Sequence, residues 1–184
     1  LTKRKQKAHY SVEIVNINPE NEPEWFLKKS PLGRIPAFEM NSSTIYESSV
    51  IVEYLDEVFP DTAILPQNPL AKAKQKILVE RMKPVVYCYN NEIKQAVNVD
   101  KSLHNALHNA NDLLLDDFFA GRTMGYADIM IWPFLERSQL VTINPFTQFR
   151  YFPGVNYPKI GAYMARMQRQ PEVMSHLSAC KVNE

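Results

Sequence analysis

Residues 30–55 read SPLGRIPAFEMNSSTIYESSVIVEYL, and the order of breakers, strands and helix within them decides the fold. Gly33 permits a turn conformation that other residues resist, and Pro31 and Pro36 fix the backbone on either side of it. Ala37 to Met40 and Thr44 to Tyr46 read as two short strands joined by the polar turn Asn41-Ser42-Ser43. The apolar rhythm of Val50, Ile51, Tyr54, Leu55 and Val58 then predicts a helix from Ser48 to Phe59, with Ser48 as N-cap and Pro60 as stop. A helix that starts directly after a strand leaves free backbone N–H groups and a positive dipole end toward solvent, which suits a ligand carboxylate. This is the best candidate for a binding site in the sequence.

Upstream, Leu1 to His9 is basic and fits either the last turns of a helix or a tail. Val12 to Ile17 is β-branched and predicts a strand, and Glu24 to Lys29 predicts a short helix anchored by Trp25 and Phe26. Downstream, three prolines between Pro60 and Pro69 mark a linker, after which only helical periodicity remains. Leu78, Met82, Val85, Tyr89, Ile93 and Ala96 define one apolar face, with a kink expected at Pro84. Leu103, Ala106, Leu107, Ala110 and Leu114 mark the next helix. On its opposite side His104, His108 and Asp112 follow one another at one-turn spacing; a solvated polar face is preferred there over a zinc site, so no metal is expected.

Gly121 to Gln139 is the most apolar helical stretch and predicts the central helix, buried nearly all round. With Gly125 as N-cap, Asp128 can reach back to the Gly125 N–H, half of a capping box, and Met124 and Ile129 occupy the hydrophobic-staple positions. The aromatics Phe146, Phe149, Tyr151, Phe152 and Tyr157 are read as covering a core. Ile160, Tyr163 and Met167 predict a further helix, and Val173, Met174 and Leu177 a last short one.

A chain of 184 residues, 45% hydrophobic and 22% charged, has the composition of a soluble globular protein with a real core. Its formal net charge of +1 gives no hint of a nucleic-acid partner, and no apolar run approaches the ~20 residues of a membrane span. Two cysteines, Cys88 and Cys180, cannot build a disulfide framework, which fits a reducing cytosol. Cys88 is read as an inert buried thiol.

The run GRIPAFEMNSSTIYESSVIVEYLDEVFP resembles the glutathione-binding half of a cytosolic glutathione transferase. EPEWFLKKSPLGRIPAFE, KAKQKILVERM, YADIMIWPFLER and YPKIGAYMARMQRQPEV are similar to the omega class, so the likeness runs from about Val12 to Leu177. It implies an α+β chain: a thioredoxin-like first domain over residues 1–59, a linker over 60–68 and an all-helical domain over 69–184. It implies a cis peptide bond before Pro36, with the backbone of Ile35 pairing with the cysteinyl part of glutathione. Glu47 and Ser48 would hold the γ-glutamyl amine and carboxylate, and Arg137 would lie near a second-substrate pocket.

The activity so implied is that of a glutathione-dependent transferase or thiol reductase, of thioltransferase or dehydroascorbate-reductase type. Glutathione is then the co-substrate, beside a small electrophilic or oxidised partner, in a cytoplasmic homodimer. A non-catalytic binding protein of the same fold is the alternative. Two departures stand out. Glu22 occupies a place where omega members often carry a lysine near the glycine end of glutathione, and would repel that carboxylate. The CPxA-like motif of the omega cysteine does not occur; it and the first strand are expected upstream of Leu1. The chain is accordingly read as truncated, and its strand Val12 to Ile17, left unpaired, as an obstacle to folding of the first half.

Overall fold

The expected hairpin is built from β1 (Ala37–Met40) and β2 (Ser43–Tyr46), antiparallel, with Ala37 opposite Tyr46 and Met40 opposite Ser43. That register leaves Asn41 and Ser42 as a two-residue loop, and both have positive φ, 51° and 64°. Such a pair of central residues matches the twist of a tight hairpin, and asparagine tolerates the conformation better than most. The helix α1 (Glu24–Lys29) precedes the hairpin and α2 (Ser48–Val58) follows it. Phe38 on β1 meets Tyr54 on α2 with ring centroids 6.3 Å apart.

The computed structural model describes residues 12–87, 99–139 and 153–181, and the chain divides into two compact units, Leu1–Phe59 and Pro60–Glu184. The first unit is thioredoxin-like, with its small two-stranded sheet; the second is helical. Among the described residues of the first unit, only Phe26 and Ile51 are fully buried hydrophobics. Residues 12–17 are not a strand there. They have no regular structure, and Val12, Ile14 and Val15 are 72%, 82% and 56% exposed. A β-branched run becomes a strand only when a neighbouring ladder takes its hydrogen bonds, and none is recorded among the described residues.

In the second unit a 3₁₀ turn (Pro60–Thr62) leads to α3 (Pro69–Arg81), capped by Asn68, whose side-chain oxygen accepts from the Ala71 N–H at 3.0 Å. The helix does not bend at Pro84 but breaks before it. α3 ends at Arg81, Met82 forms a turn, and α4 (Lys83–Tyr87) starts afresh. Proline has no N–H to carry the ladder on, and its ring is tolerated best in a first turn. Cys88, Tyr89, Ile93, Ala96, Phe146, Phe149, Tyr151 and Phe152 lie outside the described residues.

The core is shared by α5 (Val99–Leu113), α6 (Tyr126–Ser138) and α8 (Pro158–Met167); α7 (Pro153–Asn156) precedes α8, and α9 (Pro171–Lys181) follows it. Leu103, Ala106, Leu107, Ala110 and Leu114 are all buried, as are Ile160, Tyr163 and Met167. α6 is less enclosed than its composition suggests: Ile131, Trp132 and Leu135 are buried, but Ile129 is 37% exposed and Phe134 only partly covered. Its buried start is tightly built. A Cβ on Gly125 would stand 2.8 Å from the Ala120 Cβ, so no larger residue fits without a shift. The Gly125 N–H donates to Asp128 Oδ2 at 3.0 Å, and the Asp128 N–H donates to the Gly125 carbonyl at 3.1 Å.

Asp128 does more than cap. It also accepts from the N–H groups of Phe119 at 2.8 Å and Ala120 at 3.2 Å, and so folds the preceding loop onto the helix start. Burial pushes its carboxyl above the ordinary 3.8, while these three donors pull it back. The Tyr163 hydroxyl is buried beside it without a hydrogen bond of normal geometry, and burial together with the carboxylate charge keeps that phenol neutral.

Candidate functional site

The candidate site is the open end of the hairpin. Because Ala37 pairs with Tyr46, the residue before β1 and the residue after β2, Pro36 and Glu47, sit at the same end. The Ile35–Pro36 peptide bond is cis. Ile35 is 52% exposed, and among the described residues nothing pairs with its backbone N–H or C=O. Behind it, Gly33 turns the chain at φ 63° and donates its N–H to the Ser30 carbonyl at 2.9 Å. Ser30 is fully buried, and its hydroxyl donates to the Arg34 carbonyl at 2.9 Å. These two bonds fix the loop that presents Ile35. Ser30→Ala is expected to cost about 1 kcal/mol, because the Arg34 carbonyl loses its donor; a urea midpoint unchanged from wild type would contradict this.

Across the hairpin end, Glu47 has φ 72° and ψ 116°, a backbone conformation that L-residues avoid. It, and not Ser48, is the N-cap of α2. The chain turns so sharply at Glu47 that the helix begins one residue earlier, which leaves Ser48 as the first helical residue and the cap without a side-chain hydrogen bond. The first intrahelical bond is Ile51 N–H to Glu47 carbonyl at 3.0 Å. The N–H groups of Ser48, Ser49 and Val50 therefore have no helical acceptor and form the positive end of the helix dipole. Ser48 is exposed, and its hydroxyl is not engaged in capping.

One member of the site carries no local signal in the sequence. Arg34 Nη1 lies 3.2 Å from Glu47 Oε1, an exposed pair that bridges the two sides of the hairpin end. An arginine thirteen residues away carries no periodic signature, although its place next to Ile35 is suggestive once the register is known. The pair contributes little stability, but it ties the Glu47 side chain to the opposite side of the hairpin end. The end of the hairpin thus offers a carboxylate for an ammonium, helix N–H groups for a carboxylate, and an unpaired peptide edge between them.

Arg137 belongs to the second unit, exposed in the last turn of α6. The His104, His108 and Asp112 stripe does not act together. The His104 ring hydrogen-bonds the Tyr157 hydroxyl, whereas His108 and Asp112 form an exposed pair at 3.7 Å. Among the described residues no group of three metal-ligating side chains is placed to hold an ion, and no helix is long and apolar enough to cross a membrane.

Residues 6–63 match the family description "Glutathione S-transferase, N-terminal domain", and residues 77–171 match "Glutathione S-transferase, C-terminal domain". The probable glutathione transferase omega-2 of Caenorhabditis briggsae is 34% identical over 174 residues, which cover 88% of this chain and 68% of that one. Glutathione S-transferase omega-1 of Rattus norvegicus is 32% identical over 178 residues, covering 92% of this chain and 71% of that one. Among solved structures, rice GST1 in complex with glutathione superposes with a TM-score of 0.76 at 20% identity, covering 88% of this chain and 77% of that one. Two consecutive domain matches and relatives at this identity show that the chain belongs to the glutathione transferase family.

Proposed function

We propose that the hairpin end binds glutathione, and that the protein is an omega-type glutathione transferase acting as a thiol transferase or reductase on a small electrophilic or oxidised substrate. The observation that carries the reading is the register of β1 and β2, which brings the unpaired Ile35 backbone and the α2 tip to one end of the hairpin. Glu47 takes the γ-glutamyl amine, the Ser48 hydroxyl and the N–H groups of α2 take its carboxylate, and Ile35 pairs with the cysteinyl peptide beside Pro36. Held at both ends, the thiol is fixed in direction before it reacts, which removes part of the entropic barrier to exchange. Arg137 borders the second-substrate pocket in this reading. A cytoplasmic homodimer with a first domain ending near residue 59 and a helical domain from residue 69 completes it. The reading rests on family membership and on the omega-class relatives.

The test is retention on glutathione immobilised through its sulfur. Retained protein is expected to elute with free glutathione; passage straight through the column would refute the reading.

A further inference from the structure

Glu22 is a partly buried carboxylate for which this binding mode has no use. It precedes Pro23, the N-cap of α1, and its Oε1 lies 3.1 Å from the point where a Cβ on Gly33 would stand. The carboxylate therefore rests on the Gly33 backbone, two residues before Ile35. Two nearby cations are engaged elsewhere: Arg34 pairs with Glu47, and Lys29 pairs with Glu39. Among the described residues no cation pairs with Glu22.

The direction of a bound γ-glutamyl peptide follows from the same register, granted the proposed function on which this step rests. Its first residue is held at Glu47 and the α2 tip, beside Pro36 and Ala37. With its middle residue paired with Ile35, the rest of the ligand continues past Arg34 and Gly33. Its C-terminal end arrives at Glu22. In glutathione that end is a carboxylate, and two like charges a few ångströms apart at a half-buried site repel far more than they do in bulk water. We infer that this site selects γ-glutamyl thiols whose C-terminal end is uncharged or cationic, such as an ester, an amide or an amine-linked conjugate, over glutathione itself.

Isothermal titration of the protein with glutathione and with its glycine monoethyl ester tests this without any mutation. The ester is expected to bind about tenfold tighter at low ionic strength, and the preference is expected to shrink as salt is added. Glu22→Gln should bring the ratio of the two affinities close to unity, and Glu22→Lys should invert it in favour of glutathione. Equal affinities in the wild type, or a preference that persists in Glu22→Gln, would overturn the inference and leave the binding site standing. Binding of neither ligand, or binding of both that Glu47→Ala leaves unchanged, would overturn the glutathione reading and this inference with it.

Discussion

Asp128→Ala is expected to lower the unfolding free energy by about 3 kcal/mol or more, because three inward-facing N–H groups each lose a charged acceptor worth ~1–3 kcal/mol. For a chain of this size that corresponds to a fall in melting temperature of roughly 6–12 °C. Asp128→Asn should fall between the two: its carbonyl oxygen can still serve Phe119, but its NH₂ group would face the donors of Ala120 and Gly125. The pH dependence has a definite sign. Burial raises the folded-state pKa above the ordinary 3.8, so the stability linked to this carboxyl is full below the unfolded value and is lost as pH rises through the folded one. The gap between wild type and Asp128→Asn is therefore expected to narrow from acid toward neutral pH. Thermal melts across that range decide it: a gap that widens would mean that the three N–H donors outweigh burial, and an unchanged melting temperature in Asp128→Ala would remove the assignment altogether.

Glu47→Gly is expected to weaken glutathione binding by about 10- to 150-fold while leaving the fold as stable as before or more so. The loss in affinity is that of one charge-assisted hydrogen bond, ~1.5–3 kcal/mol. The gain in stability comes from the backbone: glycine takes a φ of 72° readily, whereas glutamate is held there at a cost of order 1 kcal/mol or more. The exposed pair with Arg34 that is lost in the exchange is worth at most about 1 kcal/mol. A residue retained for stability would behave in the opposite way. Glu47→Ala serves as control, since alanine keeps the unfavourable φ and removes only the carboxylate. Titration calorimetry and a denaturant curve on both variants separate the two effects, and unchanged affinity in Glu47→Gly would exclude Glu47 from the site.

What the sequence made legible was what neighbours along the chain decide. The hairpin, the helix after β2, the four buried positions of α5 with Leu114 just beyond it, and the half-capping box at Gly125 all follow from steps of two to four residues. The errors lie where a distant partner decides. Residues 12–17 have strand composition but no ladder, and composition cannot supply one. Ser48 has the chemistry of an N-cap, yet the turn at Glu47 moved the helix start by one residue. Arg34 entered the candidate site only through the register, because an ion pair spanning thirteen residues leaves no mark on the local pattern. The local pattern links Asp128 to Gly125 alone; its bonds to Phe119 and Ala120 depend on a loop whose path periodicity does not describe. Helical spacing puts His104 on a solvated stripe, whereas its bond to Tyr157 depends on a residue 53 positions later.

The ties between Asp128 and the loop before it also bear on how the second unit opens to solvent. Loop amides ordinarily exchange their protons freely, through small excursions that leave the rest of the molecule intact. Those of Phe119, Ala120 and Gly125 are bound to a carboxylate carried by α6, the helix that supplies Ile131, Trp132 and Leu135 to the interior. Deuterium can reach them only when the start of that helix lets go. By connectivity they belong to a loop; in the order of unfolding they travel with the helix.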